Sequence, residues 1–339
     1  MSHIHQKRKR RPTSQDVAEL AGVSRATVSA FLNRNRYVSP ELSQKIQEAI
    51  EELNYTPDHL ARALKLEDTK TIGLIIPVLS HFYTPLMRAI NDIAHEYGYG
   101  FLLSSSEENA DRERELLEIL MAKRISGILL GPCSEENKGL LNEIQRSGTP
   151  IVQVNRKVEG LEADSVVSDN FKAAYTATEH LIQRGRRKIV LLGYDPTTLS
   201  NAQKKAGYDA ALKDHNIKDN LTIVVKEHNR ENITAALTEF LQSNYLYDGL
   251  ICTTQGKTAI ALYLLKESGV QIPKDVAVVG FDDTVWSSLL CTPLTVVSET
   301  TYRMGVEAIN LLLNRMKNAN EVPPTHIVLE SEFIIRQST

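Results

Sequence analysis

Cysteine is scarce. The three residues, Cys133, Cys252 and Cys291, are odd in number and scattered along 339 positions, and no C-x-x-C pair occurs. This excludes a disulfide framework and a cysteine zinc site, and it favours a reducing compartment. No run of 18 apolar residues occurs, which excludes a transmembrane helix. The basic start, MSHIHQKRKRRP, is not followed by an apolar stretch. No secretory signal is expected there, and the protein is expected to be cytoplasmic. Catalytic signatures are missing too. Gly98-Tyr99-Gly100 continues into Phe101, Leu102 and Leu103 and so is no dinucleotide fingerprint. There is no G-x-x-x-x-G-K-[ST], no G-x-S-x-G and no H-E-x-x-H. The nine histidines show no metal-ligand spacing, and His3 and His5 sit in the basic tail. The chain is therefore expected not to be an enzyme and to need no cofactor or metal.

What is present is enough chain for about two domains. Hydrophobic residues make up 42%, enough for a substantial core. Charged residues make up 24% with a net charge of −3, so long disorder is not expected. The charge is uneven. Residues 1–66 hold 11 lysines and arginines against 7 acids, a net of +4. The rest holds 28 against 35, a net of −7. A basic head on an acidic body suits a protein whose head alone meets a polyanion. The run Lys7-Arg8-Lys9-Arg10-Arg11 taken alone reads equally well as a solubilising tail.

The head has the pattern of a helix-turn-helix. Thr13 and Ser14 are N-cap candidates, followed by Val17, Leu20 and Ala21 at helical spacing. Gly22 supplies the turn. Ser24 starts a second helix carrying Ala26, Val28, Phe31 and Leu32. Ser39-Pro40-Glu41 starts a third, with Leu42, Ile46, Ala49, Ile50 and Leu53 on one face. Three such helices enclose a small core, either as a plain three-helix cap or as a unit whose second helix enters the DNA major groove.

After Thr69 short apolar runs alternate with amphipathic stretches. The runs fall at 71–76, 100–104, 126–131, 150–154, 187–193, 222–226, 248–252 and 275–281. The alternation predicts two doubly wound parallel-sheet lobes with a cleft between them at the strand C-termini.

These residues carry a resemblance. TSQDVAELAGVSRATVSAFLN (13–33) and YVSPELSQKIQEAIEELNYTPDHLARALK (37–65) resemble the headpiece of the LacI family of transcriptional regulators. IGLIIP (72–77), VSDN (167–170), RRKIVLLG (186–193), VAVVGFDD (276–283) and TPLTVVS (292–298) extend the likeness over nearly the whole chain. It implies a body like a periplasmic sugar-binding protein, its lobes joined by three crossovers. The domains implied are a headpiece with basic arm at 1–56, a hinge helix and linker at 57–68, and an effector-binding and dimerisation domain at 69–339. The first lobe would take about 69–166 and 299–322, the second about 167–298 and 323–339.

The resemblance also implies site residues. Ser24, Arg25, Ala26 and Thr27 would open the recognition helix. Arg25 would meet either guanine or a phosphate. Asn33 would touch phosphate. Leu64, flanked by Arg62 and Lys65, would wedge into the minor groove, or else pack the hinge. Ala30 stands where many relatives have Arg, and Asp58 where they often have Asn. In the cleft, Phe82 and Tyr83 match a ligand-stacking pair, or else pack the lobe. Asn155, Lys204 and Thr254 (with Gln255) stand where relatives carry Asp, Arg and Asn. Asp282 matches a sugar-binding Asp, with a capping role as the plain reading. Trp286 supplies either an apolar face or core. The exchanges, with Lys257 nearby, lean toward a sugar acid or sugar phosphate over a neutral sugar.

The function implied is sequence-specific transcriptional repression of bacterial carbohydrate genes. A homodimer would bind pseudo-palindromic operator DNA under allosteric control by a small sugar or sugar-derived effector. No membrane partner is expected. Two readings stay open beside it: a global regulator that needs a phosphoprotein corepressor, and a sugar-binding protein without DNA specificity.

Overall fold

The computed structural model describes residues 12–33, 36–55, 69–194, 198–218, 221–225, 229–243, 245–318 and 323–339. The chain divides into two units, Met1–Thr69 and Lys70–Thr339. The expected hinge at 57–68, with Asp58, Arg62, Leu64 and Lys65, lies outside the described residues, as does the basic run 7–11.

The first unit holds three helices: α1 (Ser14–Ala21), α2 (Arg25–Asn33) and α3 (Pro40–Glu52). Thr13 caps α1 through a capping box, in which its backbone N–H donates to Asp16 at 2.6 Å. Gly22 ends α1 in the left-handed region at φ 65°, a conformation that disfavours a side chain and that sets the sharp turn into α2. Ser24 accepts from the Thr27 N–H at 3.1 Å, and Ser39 from Leu42 with Pro40 at the first helical position. The core is Val17, Ala18, Val28, Ile46, Ala49 and Tyr55. Leu20, expected inside, is 45% exposed. Val17 and Ala18 set the inward face of α1, and Leu20 falls off it.

The second unit contains two six-stranded sheets. The strands are β1 (Thr71–Ile76), β2 (Gly100–Ser105), β3 (Gly127–Leu130), β4 (Ile151–Val154), β5 (Asp164–Ser168), β6 (Ile189–Tyr194), β7 (Leu221–Val225), β8 (Gly249–Cys252), β9 (Ala277–Phe281), β10 (Thr295–Ser298), β11 (His326–Leu329) and β12 (Glu332–Ile334). One sheet has the order β11-β5-β4-β3-β1-β2, the other β12-β10-β9-β8-β6-β7. Every pairing is parallel except β10 with β12. Central strands such as β3, β4, β8 and β9 are buried throughout, as expected where helices cover both faces.

The helices that frame the cleft are α4 (Tyr83–Glu96), α7 (Asn170–Gln183), α8 (Leu199–Asp214), α10 (Gln255–Glu267) and α12 (Thr301–Lys317). Intervening helices are α5 (Ala110–Ala122), α6 (Lys138–Arg146), α9 (Arg230–Gln242) and the short α11 (Val285–Leu289). In each lobe one glycine lets two helices touch. A Cβ on Gly305 of α12 would lie 2.5 Å from the Leu86 carbonyl of α4. A Cβ on Gly207 of α8 would lie 2.1 Å from the Phe171 carbonyl of α7.

The chain passes between sheets three times, after β5, after β10 and between β11 and β12. Helix α12 packs on α4 and so returns to the first lobe. Two expected boundaries need correcting. The first lobe runs through Ser168 rather than 166, since β5 belongs whole to its sheet. Of 323–339, expected entirely in the second lobe, His326–Leu329 pairs with β5 in the first. Only Glu330 and Ser331 separate this strand from β12, too short a gap to show as a lobe change in the hydrophobic pattern.

Candidate functional site

The C-terminal ends of β1, β2 and β4 and of β6, β8 and β9 carry the residues between the lobes. This is the edge where open parallel sheets bind ligands. Asn155 follows β4 with φ 64°, and this backbone conformation turns its side chain to donate to the Tyr83 hydroxyl at 2.9 Å. The Tyr83 ring is 2% exposed and lies in the first-lobe core, edge-on to Phe82 at 4.9 Å. Burial pushes its phenol up to about 12. Phe82 is partly buried against the same core.

Arg156, the next residue, was not singled out from the sequence. Its guanidinium grips Glu108, after β2, with two bonds of 2.7 and 2.8 Å. Both side chains are 13% exposed. Burial works to lower the Arg156 pKa, but the hydrogen bonds and charge of Glu108 raise it, so the guanidinium stays charged. An Arg immediately after an apolar strand was the available signal; its partner lies 48 residues away.

In the second lobe Lys204, in the second turn of α8, is 12% exposed. Its ammonium lies over the Phe281 ring at 4.5 Å, donates to the Thr253 carbonyl at 3.4 Å and reaches Glu299 Oε1 at 3.3 Å. Glu299, also missed, stands in the second crossover, and its other oxygen accepts from the Ser168 hydroxyl at 2.6 Å. Lys257 is fully buried and donates to Thr253 Oγ1 at 3.0 Å. Two lysines thus converge on one threonine. Burial, and then the charge of Lys204, hold Lys257 well below the ordinary lysine value.

Asp282 follows β9 with φ 69° and accepts from the Gln255 N–H at 3.3 Å. Burial, and then Glu299, push its carboxyl up to about 7. Thr254 caps α10 by accepting from the Lys257 N–H at 3.4 Å. Trp286 is partly buried and packs against the second-lobe core cluster. Three further charges, Glu108, Arg156 and Glu299, bear on the positive lean expected from the exchanges: Glu108 is matched by Arg156, and Glu299 by Lys204.

In the headpiece Ser24, Arg25 and Ala26 are exposed at the start of α2, and Thr27 is half-buried. The Ser24 and Thr27 hydroxyls bond each other at 2.8 Å. Arg25 Nε donates to Ser14 Oγ at 3.2 Å, joining the starts of α1 and α2. Asn33 is the last residue of α2. Among the described residues no group of three His, Cys, Asp or Glu is placed to hold a metal, and no helix is long and apolar enough to cross a membrane.

Fold and site together define a two-lobed small-molecule-binding body that carries a helix-turn-helix headpiece. Comparison with known proteins agrees. The profile described as "Bacterial regulatory proteins, lacI family" matches residues 13–58, and that of "Periplasmic binding proteins and sugar binding domain of LacI family" matches 69–337. The chain belongs to the LacI family of transcriptional regulators. It is 33% identical over 330 residues to the HTH-type transcriptional regulator RegA of Clostridium saccharobutylicum, covering 96% of this chain and 98% of that one. It is 29% identical to the HTH-type transcriptional repressor PurR of Actinobacillus pleuropneumoniae serotype 3, with the same coverage. Among solved structures it resembles the transcriptional regulator CelR–cellobiose complex at 27% identity and TM-score 0.72, covering 97% and 100%. The Lac repressor dimer bound to operator and the anti-inducer ONPF shares its fold, with TM-score 0.84 at 23% identity and coverage of 97% and 99%.

Proposed function

We propose that the protein is a homodimeric, cytoplasmic repressor of bacterial carbohydrate genes. It binds a pseudo-palindromic operator through two headpieces and a sugar or sugar-derived effector between its lobes. It acts by binding, not catalysis. The observation that carries this reading is that Arg156 of the first lobe and Lys204 and Asp282 of the second all lie close enough for their charges to act on the buried Lys257, in a chain that also carries the headpiece. Ser24, Arg25, Ala26 and Thr27 read the major groove, and Asn33 holds phosphate. Arg62 and Leu64 supply the hinge contacts that the family resemblance implies. Phe82 walls the effector space and Tyr83 positions Asn155 from the core, Asn155, Lys204 and Asp282 bond the effector, and Thr254 holds the loop beside it.

Three short crossovers make lobe closure a hinge motion about residues 169, 299–300 and 330–331. Effector and operator each favour one lobe arrangement, and a coupling of about 1–3 kcal/mol between the two sites gives roughly 5–150-fold regulation. Binding assays on two variants test the proposal. Asp282→Ala should abolish the effect of the effector on operator affinity and spare DNA binding itself. Arg25→Ala should weaken operator binding and leave effector binding intact. Equal loss of both activities in both variants would contradict the division of roles.

A further inference from the structure

A small recess opens beside Lys204, between the first turns of α8 and the second sheet. Its volume is about 80 Å³, and its lining includes Gly193, Asn201, Lys204, Lys205, Thr222 and Thr253. It has room for at least a few waters, or for a compact group of three or four heavy atoms such as a charged substituent on a sugar ring.

The chemistry of the lining is one-sided. It carries two lysines and no carboxylate. Glu299 and Asp209, which pair with Lys204 and Lys205, both lie outside the lining. The Lys204 ammonium has three donors, yet its contacts with Thr253 and Glu299 are 3.4 and 3.3 Å. Charge-assisted bonds to oxygen anions settle at about 2.7–2.9 Å, so neither contact is optimal for it. Among the described residues, the Thr222 hydroxyl is buried and has no hydrogen-bond partner. Buried hydroxyls in folded proteins almost always have one, so the Thr222 hydroxyl beside the recess has unused hydrogen-bonding capacity. Gly193, paired with Val224 beside it, leaves the floor open, because a Cβ there would meet only Thr253 Cγ2, at 4.0 Å.

We infer that this recess is an anion subsite of the effector pocket, taking a carboxylate or phosphoryl group borne by the effector between Lys204 and Lys205, with the Thr222 hydroxyl donating to it. The inference rests on the proposed effector pocket and goes beyond it. It assigns Lys205 and Thr222 to ligand binding and sets the effector class as anionic. The sugar ring stays in the interlobe space, where Asp282 and Asn155 meet neutral hydroxyls.

The test is calorimetric titration of the full-length protein with matched sets. Each set holds a hexose or pentose, its sugar acid and its phosphate monoester, and inorganic phosphate and acetate are titrated alone. One charged form should bind at least tenfold tighter than its neutral parent, and which form does so tells carboxylate from phosphoryl. Lys205→Gln and Thr222→Val should cut that preference below threefold while changing the neutral parent's affinity less than twofold. Thr222→Ser, which keeps the hydroxyl, should retain the preference and controls for folding. Neutral parents that bind as tightly as their charged forms, or a preference untouched in Lys205→Gln and Thr222→Val, would overturn the anion subsite and leave the effector pocket standing. Binding of no sugar in any form would overturn both.

Discussion

Lys204 and Glu299 meet at 3.3 Å, one from a helix of the second lobe and one from a crossover between lobes. Glu299 simultaneously holds Ser168, where the first crossover begins. An effector that draws the Lys204 ammonium toward itself therefore loosens a carboxylate seated in the hinge. Glu299→Ala leaves a mostly buried lysine and a hydroxyl without their partner, and removing one member of a buried pair costs on the order of 3 kcal/mol. Thermal melts should show a clear drop in Tm, and operator affinity should become less sensitive to effector. Unchanged stability together with an intact response would remove Glu299 from the account.

Asp282 gives a pH signature. Its carboxyl is pushed up from 3.8 to about 7 in the folded protein. Between those values the folded state binds a proton that the unfolded state has released. Stability from this group is full below pH 3.8, falls as pH rises, and is lost by about pH 7. Asp282→Asn is neutral throughout, so its Tm should gain on the wild type from about pH 4 to pH 7 and level off above that. Parallel pH profiles would contradict the shift.

Close helix packing gives a mutational contrast. Gly207→Ala sets a methyl against the Phe171 carbonyl, and α8 must move away from α7. Overpacking of this kind costs about 1–3 kcal/mol. Because α8 carries Lys204 and Lys205, effector affinity should fall along with Tm. Urea unfolding of the full chain measures the loss of stability, and titration calorimetry measures the loss of effector affinity.

In the headpiece, Thr13→Ala removes the α1 capping box and should lower headpiece stability by about 1 kcal/mol, read by hydrogen exchange of α1 amides. Arg25→Ala should weaken operator binding by about 10–100-fold, whichever of base or phosphate it meets. A loss confined to one base position marks guanine readout. A uniform loss with a shallower salt dependence marks a phosphate contact.

The sequence displayed what local pattern encodes. Caps at Thr13, Ser24 and Ser39, the Gly22 turn and the alternation of apolar runs with amphipathic stretches all precede the same elements in the structure. The residues that close the site were harder to see. Arg156 and Glu108 are ordinary charges until a sheet brings β4 beside β3 and β1 beside β2. Glu299 looks like a solvated acid in a loop, and only the crossover buries it. The strand at His326 was assigned to the wrong lobe because a two-residue crossover leaves no break in the pattern. For Tyr83 the sequence left ligand stacking and lobe packing open, and the structure puts its ring in the core while its hydroxyl reaches Asn155.

The central claim is that this chain is an effector-controlled, sequence-specific DNA-binding regulator. The most direct measurement is capture of fragmented genomic DNA by the purified full-length protein at low and moderate salt, followed by sequencing. The account predicts a small set of pseudo-palindromic sites that persist at moderate salt and lie beside carbohydrate genes. Salt-labile capture of random fragments, or no capture at either salt, would contradict it.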